Sequence, residues 1–199
     1  MKKVKTPITE KRWKEAQEKE IHHHLVESLD HSFHHYSIAY QKYFKYLGIN
    51  SLDLEGKSIV EIGPAMIPSL LFCENYSKSY IIEPIEYPQT NHLYEDKLNI
   101  SFIREPAEKC KFPEVDEVWI FNLMQHIQDP DLLIKVCKEN SKIIRFFEPI
   151  DYPVSIDHPF SYSFEDYVDY FGSCVREYKP NELEGFHASR CAYGIYECN

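Results

Sequence analysis

The chain has no apolar run approaching the ~18 residues needed to cross a bilayer, and its opening stretch MKKVKTPITEKRWKEAQ lacks the apolar core of a secretory signal. A cytoplasmic location and no membrane partner are therefore expected. Its six cysteines, Cys73, Cys110, Cys137, Cys174, Cys191 and Cys198, form no CxxC pair. That spacing argues against zinc and against a disulfide framework. They read as buried thiols, with Cys198, beside the C-terminus, the one expected at the surface. Positive charge is scarce, with 22 Lys and Arg against 32 Asp and Glu, a net charge of −10. Broad attachment to nucleic acid or anionic lipid needs concentrated positive charge, so a small or neutral ligand fits better. Repeats and low-complexity tracts are absent as well.

What is present suits one α/β body with a helical extension, at 199 residues and 43% hydrophobic content. Aromatics are plentiful, with 15 Tyr and 12 Phe, which points first to core packing and second to a pocket lining. Residues 7–47 read as a long helical region broken once: Leu25, Leu29, Phe33, Tyr36, Tyr40, Tyr43 and Leu47 recur in steps of three and four, and Gly48 stops the helix. This divides the chain into an N-terminal helical extension or lid, 1–50, and a main domain, 51–199.

From Leu54 onward, short apolar runs alternate with helical stretches, the pattern of a parallel sheet with crossover helices. Expected strands are Ser58–Ile62, Tyr80–Ile82, Ile100–Ile103, Glu117–Phe121 and Lys142–Phe147; expected helices are Pro68–Tyr76, Pro130–Glu139 and Ser163–Phe171. Cys174–Tyr178 and Cys191–Cys198 read as an antiparallel addition at the sheet edge. In open sheets of this kind ligands bind beyond the carboxyl ends of the strands.

The segment GKSIVEIGPAMIPSLLF, Gly56 to Phe72, carries the strongest functional signal. A buried strand runs into a tight turn entered by Gly63, a helix begins near Pro68, and the next strand ends in Glu83. Gly63 would let the backbone approach a ligand closely, and an acid about 20 residues later can accept both hydrogens of a ribose diol.

In order and content, residues 54–198 resemble a class I S-adenosylmethionine-dependent methyltransferase of small-molecule type. VEIGPA resembles that family's first glycine loop, IIEP its ribose-binding acid, EPAEKCKFPEVDEVWIFNLMQHIQDPDLLIKV its adenine loop, fourth strand and following helix, and IRFFEPID its fifth strand. The resemblance implies a Rossmann-like, seven-stranded, mostly parallel sheet with flanking helices and an N-terminal helical cover. It also implies S-adenosyl-L-methionine as cofactor and a small metabolite or sugar derivative as methyl acceptor. Glu61 would lie near the methionine amino group or hold the loop's shape. Gly63 and Ala65 would pass under the cofactor, Glu83 would take the ribose hydroxyls, Pro106, Ala107 and Glu108 would flank the adenine, and Asn122 would face the methionine part. The sequence departs from the family after Gly63, where Pro64, Ala65, Met66, Ile67 and Pro68 replace further glycines and would narrow the pocket.

A base is required only where the acceptor carries a proton. His126, beyond the fourth strand, and His158, beyond the fifth, are the candidates, since histidine is partly neutral near pH 7. The packing alternatives are a helix-start contact for His126 and a loop-forming role for His158. In HHHLVESLDHSFHH, His24, His31 and His35 share a helical stripe beside Glu27, with His31 and His35 at a chelating i, i+4 spacing. A solvated face or a substrate contact under the lid is the stronger reading of that stripe, and no metal is assigned.

Two other functional classes are compatible with the sequence. One is a non-catalytic binding or assembly protein on a methyltransferase fold that has lost its cofactor, suggested by the bulk after Gly63. The other is a nicotinamide enzyme, which the absence of GxGxxG disfavours. The partners foreseen are thus the small-molecule acceptor and, for assembly, a homodimer; nucleic acid is disfavoured.

Overall fold

The structure is a computed structural model; it describes residues 5–26, 29–87, 99–180 and 190–198, and the side chains of all of these except 23–26 and 29–32. Seven strands run in chain order as β1 (Ile59–Ile62), β2 (Ser79–Ile82), β3 (Ile100–Ile103), β4 (Val115–Phe121), β5 (Ser141–Pro149), β6 (Arg176–Tyr178) and β7 (Cys191–Glu197). They form one sheet in the order β3-β2-β1-β4-β5-β7-β6. The first five are parallel to their neighbours, whereas β7 pairs antiparallel with both β5 and β6. The expected antiparallel edge addition is therefore present. Strand order reverses between β1 and β4, which opens a crevice at their carboxyl ends.

Both faces of the sheet are covered, which explains the near-continuous apolar runs in the sequence. Alternate residues serve the two sides. Val60, Ile62, Val118, Ile120, Ile144 and Phe146 share one core with the helices α3 (Pro130–Asn140) and α4 (Phe164–Phe171). Ile59, Trp119, Phe121 and Phe147 pack on the other side against α2 (Leu29–Leu47), which follows α1 (Glu10–Val26). The ends of α3 and α4 are written locally. Asp129 accepts the Leu132 N–H at 3.1 Å ahead of Pro130, and Ser163 and Asp166 form a reciprocal capping box.

The helix expected over Pro68–Tyr76 is not formed; a single 3-10 turn, Ser69–Phe72, replaces it. Its continuation is drawn into a different hydrogen-bond system. Glu74 N–H donates to Ser51 C=O at 2.7 Å, Gly56 N–H to Asn75 C=O at 2.7 Å, and Ser77 N–H to Lys57 C=O at 2.9 Å. Helix α2 fills the layer left vacant. Tyr40, Tyr43, Phe44 and Leu47 are buried with Ile67, Leu70 and Trp119, and the Tyr40 hydroxyl donates to Ile67 C=O at 2.6 Å.

The end of α2 is tied to the sheet by a buried charge group. Arg145 pairs with Glu117 through two N–H···O contacts of 2.7 and 3.1 Å, while its Nη1 donates at 2.5 Å to the Leu47 carbonyl, a helix-terminal acceptor. The apolar stripe reaches the core only from Tyr36 onward: Phe33 stays 47% exposed, and Leu25 and Leu29 fall outside the described side chains. Cys198 is half-buried rather than exposed. Among the described residues no helix is long and apolar enough to cross a membrane.

Because Leu47 is wholly buried between α2 and the sheet, Leu47→Ala should cost about 2–5 kcal/mol. Urea unfolding should show one transition at a lower midpoint. Loss of helix signal at an unchanged midpoint for the sheet would contradict the shared core.

Candidate functional site

A cavity of about 650 Å3 lies beyond the carboxyl ends of β1, β2, β4 and β5. Gly63, Pro64 and Ala65 form its wall after β1, Glu83, Pro84 and Ile85 after β2, and Asn122 and Leu123 after β4, while Pro106, Ala107 and Glu108 close one end. Trp13, Gln17 and Glu20 of α1, with His35, Tyr36, Ala39, Tyr40 and Tyr43 of α2, form the roof. The volume is within the ~300–1,000 Å3 usual for small-molecule sites.

Two buried glutamates shape the floor. Glu61, 2% exposed, accepts Ser69 N–H at 2.8 Å and Leu70 N–H at 3.1 Å, so it holds the turn after β1 and does not line the cavity. Glu148, with no exposure, accepts Leu123 N–H at 2.9 Å and Met124 N–H at 3.0 Å. Burial pushes the Glu61 carboxyl up to about 7 and that of Glu148 up to about 8, against the pull of those N–H donors. Sequence reasoning passed over Glu148. The signal was available: FFEP at 146–149 repeats the IIEP of 81–84, an acid and a proline closing a buried strand.

Glu83 lies in the wall at 5% exposure. Its Oε2 accepts the Ala65 N–H at 3.2 Å and its Oε1 the Ile85 N–H at 2.9 Å, tying the first loop to the second strand. Ala65 and Asn122 both adopt left-handed φ of 55°. Gly63 lines the cavity with φ +58°, a conformation that favours glycine. A Cβ there would meet Leu123 Cδ1 at 2.3 Å, so the missing side chain also leaves room for the tip of the Leu123 side chain. The expected crowding after Gly63 resolves otherwise, because Met66 and Ile67 turn into the α2 core and leave the cavity wall.

Glu108 accepts Gln128 N–H at 3.2 Å and Asp129 N–H at 3.4 Å, and burial raises its carboxyl above the ordinary range. Asn122 Oδ1 accepts from Gln125 Nε2 at 3.3 Å. His126 and His158, far apart in sequence, meet with ring centroids 4.7 Å apart. Burial lowers the His126 pKa, with Glu20 and Asp157 acting in the opposite sense. His158 also shapes its loop, its N–H donating to Ser155 Oγ at 3.1 Å. Of the histidine stripe, His35 lines the cavity; Glu27, His24 and His31 lie outside the described residues or side chains. No cluster of metal-binding type occurs among the described residues.

Helix α1 is fastened over this site. Arg12 donates to Ser155 C=O at 2.6 Å and Ile156 C=O at 2.5 Å, Ile8 N–H donates to Gln128 C=O at 3.1 Å, and Lys109 pairs with Glu10 at 3.1 Å. The cover thus grips the loops after β3, β4 and β5.

No family model matches the chain, and no curated protein matches it in sequence. Solved structures are similar. Residues covering 98% of this chain superpose on 94% of 1,6-didemethyltoxoflavin-N1-methyltransferase from Burkholderia thailandensis, solved with 1,6-didemethyltoxoflavin and S-adenosylhomocysteine, at TM-score 0.64 and 10% identity. A SAM-dependent methyltransferase from Aquifex aeolicus is matched at TM-score 0.53 and 14% identity, over 78% of this chain and 88% of that one. The N-terminal domain of EvdMO1, crystallised in the presence of SAH and D-fucose, gives TM-score 0.52 and 12% identity, over 80% and 81%. The fold is therefore the Rossmann-like class I methyltransferase fold, as the sequence resemblance implied.

The two floor glutamates bind their protons more tightly in the folded chain, relative to an ordinary value of 4.5. Each adds stability below about pH 4.5 that is lost as pH rises through about 7 and about 8 respectively. Between about pH 5 and 8 the wild type should lose stability more steeply than Glu61→Gln/Glu148→Gln in urea melts. Equal slopes would contradict the burial of these groups.

Proposed function

We propose that the chain is a cytoplasmic S-adenosyl-L-methionine-dependent methyltransferase acting on a small metabolite or sugar derivative. The observation that carries this reading is the cavity at the sheet's reversal point, whose wall gathers Gly63, Ala65, Glu83, Pro106, Ala107, Glu108 and Asn122. Their chemistry suits an adenosyl ligand. Glu83 offers only acceptor oxygens, which match a vicinal diol. Pro106 and Ala107 offer small apolar surface to an adenine, on a loop fixed by Glu108. Gly63 and Ala65 pass beneath the ligand on a turn that Glu61 holds, and Asn122 faces its methionine end.

When bound, the cofactor supplies a methyl group on a sulfonium whose thioether leaves readily. The protein's share is then to orient the acceptor, exclude water and, for a protonated acceptor, remove a proton. The 1–50 helices act as the lid and select the acceptor. His126, kept neutral by burial, is the base, and His158 is its neighbour against the acceptor. A cofactor-free binding protein is disfavoured because Met66 and Ile67 fill the core instead of the cavity.

S-adenosylhomocysteine should raise the melting temperature in a concentration-dependent way, and NADH should not. Glu83→Gln should weaken S-adenosylhomocysteine binding by about tenfold, ~1.4 kcal/mol, in calorimetry. No shift at millimolar ligand would overturn the reading, and unchanged affinity in the variant would remove the ribose role of Glu83.

A further inference from the structure

We infer that the acceptor is an amine, held as its ammonium form by Glu20 and Asp157 and deprotonated by His126. This deepens the methyltransferase reading and rests on it. The described residues lining the cavity include four carboxylates, Glu20, Glu83, Glu108 and Asp157, and no lysine or arginine. Of the basic side chains next in sequence to lining residues, Arg12 is engaged on the carbonyls of Ser155 and Ile156, and Lys109 on Glu10.

The four acids divide by task. Glu83 and Glu108 accept backbone N–H groups of the loops they hold. Glu20 and Asp157 sit beside the histidine pair, one on the cover helix and one on the loop after β5, where Asp157 Oδ1 also accepts the Ser155 hydroxyl at 2.7 Å. Glu20 Oε2 is 3.9 Å from His126 Nδ1 and Asp157 Oδ1 is 4.0 Å from His158 Nδ1. Their side chains are only 20% and 29% exposed. Tyr36 and Tyr152 add aromatic surface to the same wall, the Tyr152 ring 4.9 Å from that of His158.

Charge decides which acceptors such a wall admits. A carboxylate or phosphate would lie against half-buried anions with no lysine or arginine among the described lining residues to neutralise it, which is strongly unfavourable away from bulk water. An ammonium gains charge-assisted hydrogen bonds to the carboxylates and attraction to the aromatic faces. An ammonium has no lone pair to donate, so it must first be deprotonated. One N–H bond breaks, its electron pair stays on nitrogen, and the proton moves to the His126 imidazole, where Glu20 stabilises the resulting charge.

The test uses three probes of one ring size and different charge, tyramine, 4-ethylphenol and 4-hydroxyphenylacetate, titrated by calorimetry with and without S-adenosylhomocysteine. Tyramine should bind at least about tenfold tighter than 4-ethylphenol, with 4-hydroxyphenylacetate weakest. Glu20→Gln and Asp157→Asn should each reduce the tyramine preference by about threefold or more while leaving S-adenosylhomocysteine affinity unchanged. Binding of the acid as tight as that of the amine overturns the inference. So does an unchanged preference in both variants, or a loss of S-adenosylhomocysteine affinity in place of amine affinity, which would assign these acids to the cofactor. A tyramine preference without any S-adenosylhomocysteine binding would instead sink the methyltransferase reading and leave the amine site standing.

Discussion

Carboxylates buried at the ends of parallel strands hold this pocket in shape. A strand of the sheet ends by releasing its backbone into a loop, and the N–H groups of that loop need acceptors that water cannot supply in the interior. Glu61 meets this need for Ser69 and Leu70, and Glu148 meets it for Leu123 and Met124. Glu83 does the same for Ala65 and Ile85. The wall of the cavity is thus a set of loops, each pinned to the strand end beside it.

This arrangement accounts for the unusual layering. With Glu61 capping only a single 3-10 turn, no crossover helix covers β1, and the sheet face there would be bare. Helix α2 supplies the cover, its Tyr40, Tyr43, Phe44 and Leu47 filling the space and Arg145 binding its last carbonyl. The same helix then continues to the pocket roof through Tyr36 and Ala39. One element therefore completes the core and closes the site. Helix α1 adds Glu20 to that roof while Arg12 anchors it to the loop after β5.

Much of the fold was legible because burial leaves a local trace. The two-sided sheet wrote apolar runs at β1, β4 and β5, and Asp129 with Pro130 and Ser163 with Asp166 marked the starts of α3 and α4. The helix expected at Pro68–Tyr76 failed because its competitor is long-range: residues 51–57 claim the backbone groups that would have continued it. At the site, Glu83 was readable as an acid closing an apolar strand. The orientation of Met66 and Ile67 was not, since an irregular loop carries no periodicity to say which way a side chain points. Nor could the sequence show that Gly63 makes room for Leu123, or that His126 and His158 converge, because both depend on how the loops after separate strands meet.

The proposed function depends on the cavity being an adenosyl site held by Glu83. A crystal structure of the protein grown with S-adenosylhomocysteine tests that directly. The ribose hydroxyls should lie within hydrogen-bonding distance of the Glu83 carboxylate, with the adenine against Ala107 and the sulfur end towards Asn122. An adenosyl group bound elsewhere, or a cavity still without it at millimolar ligand, would contradict the account.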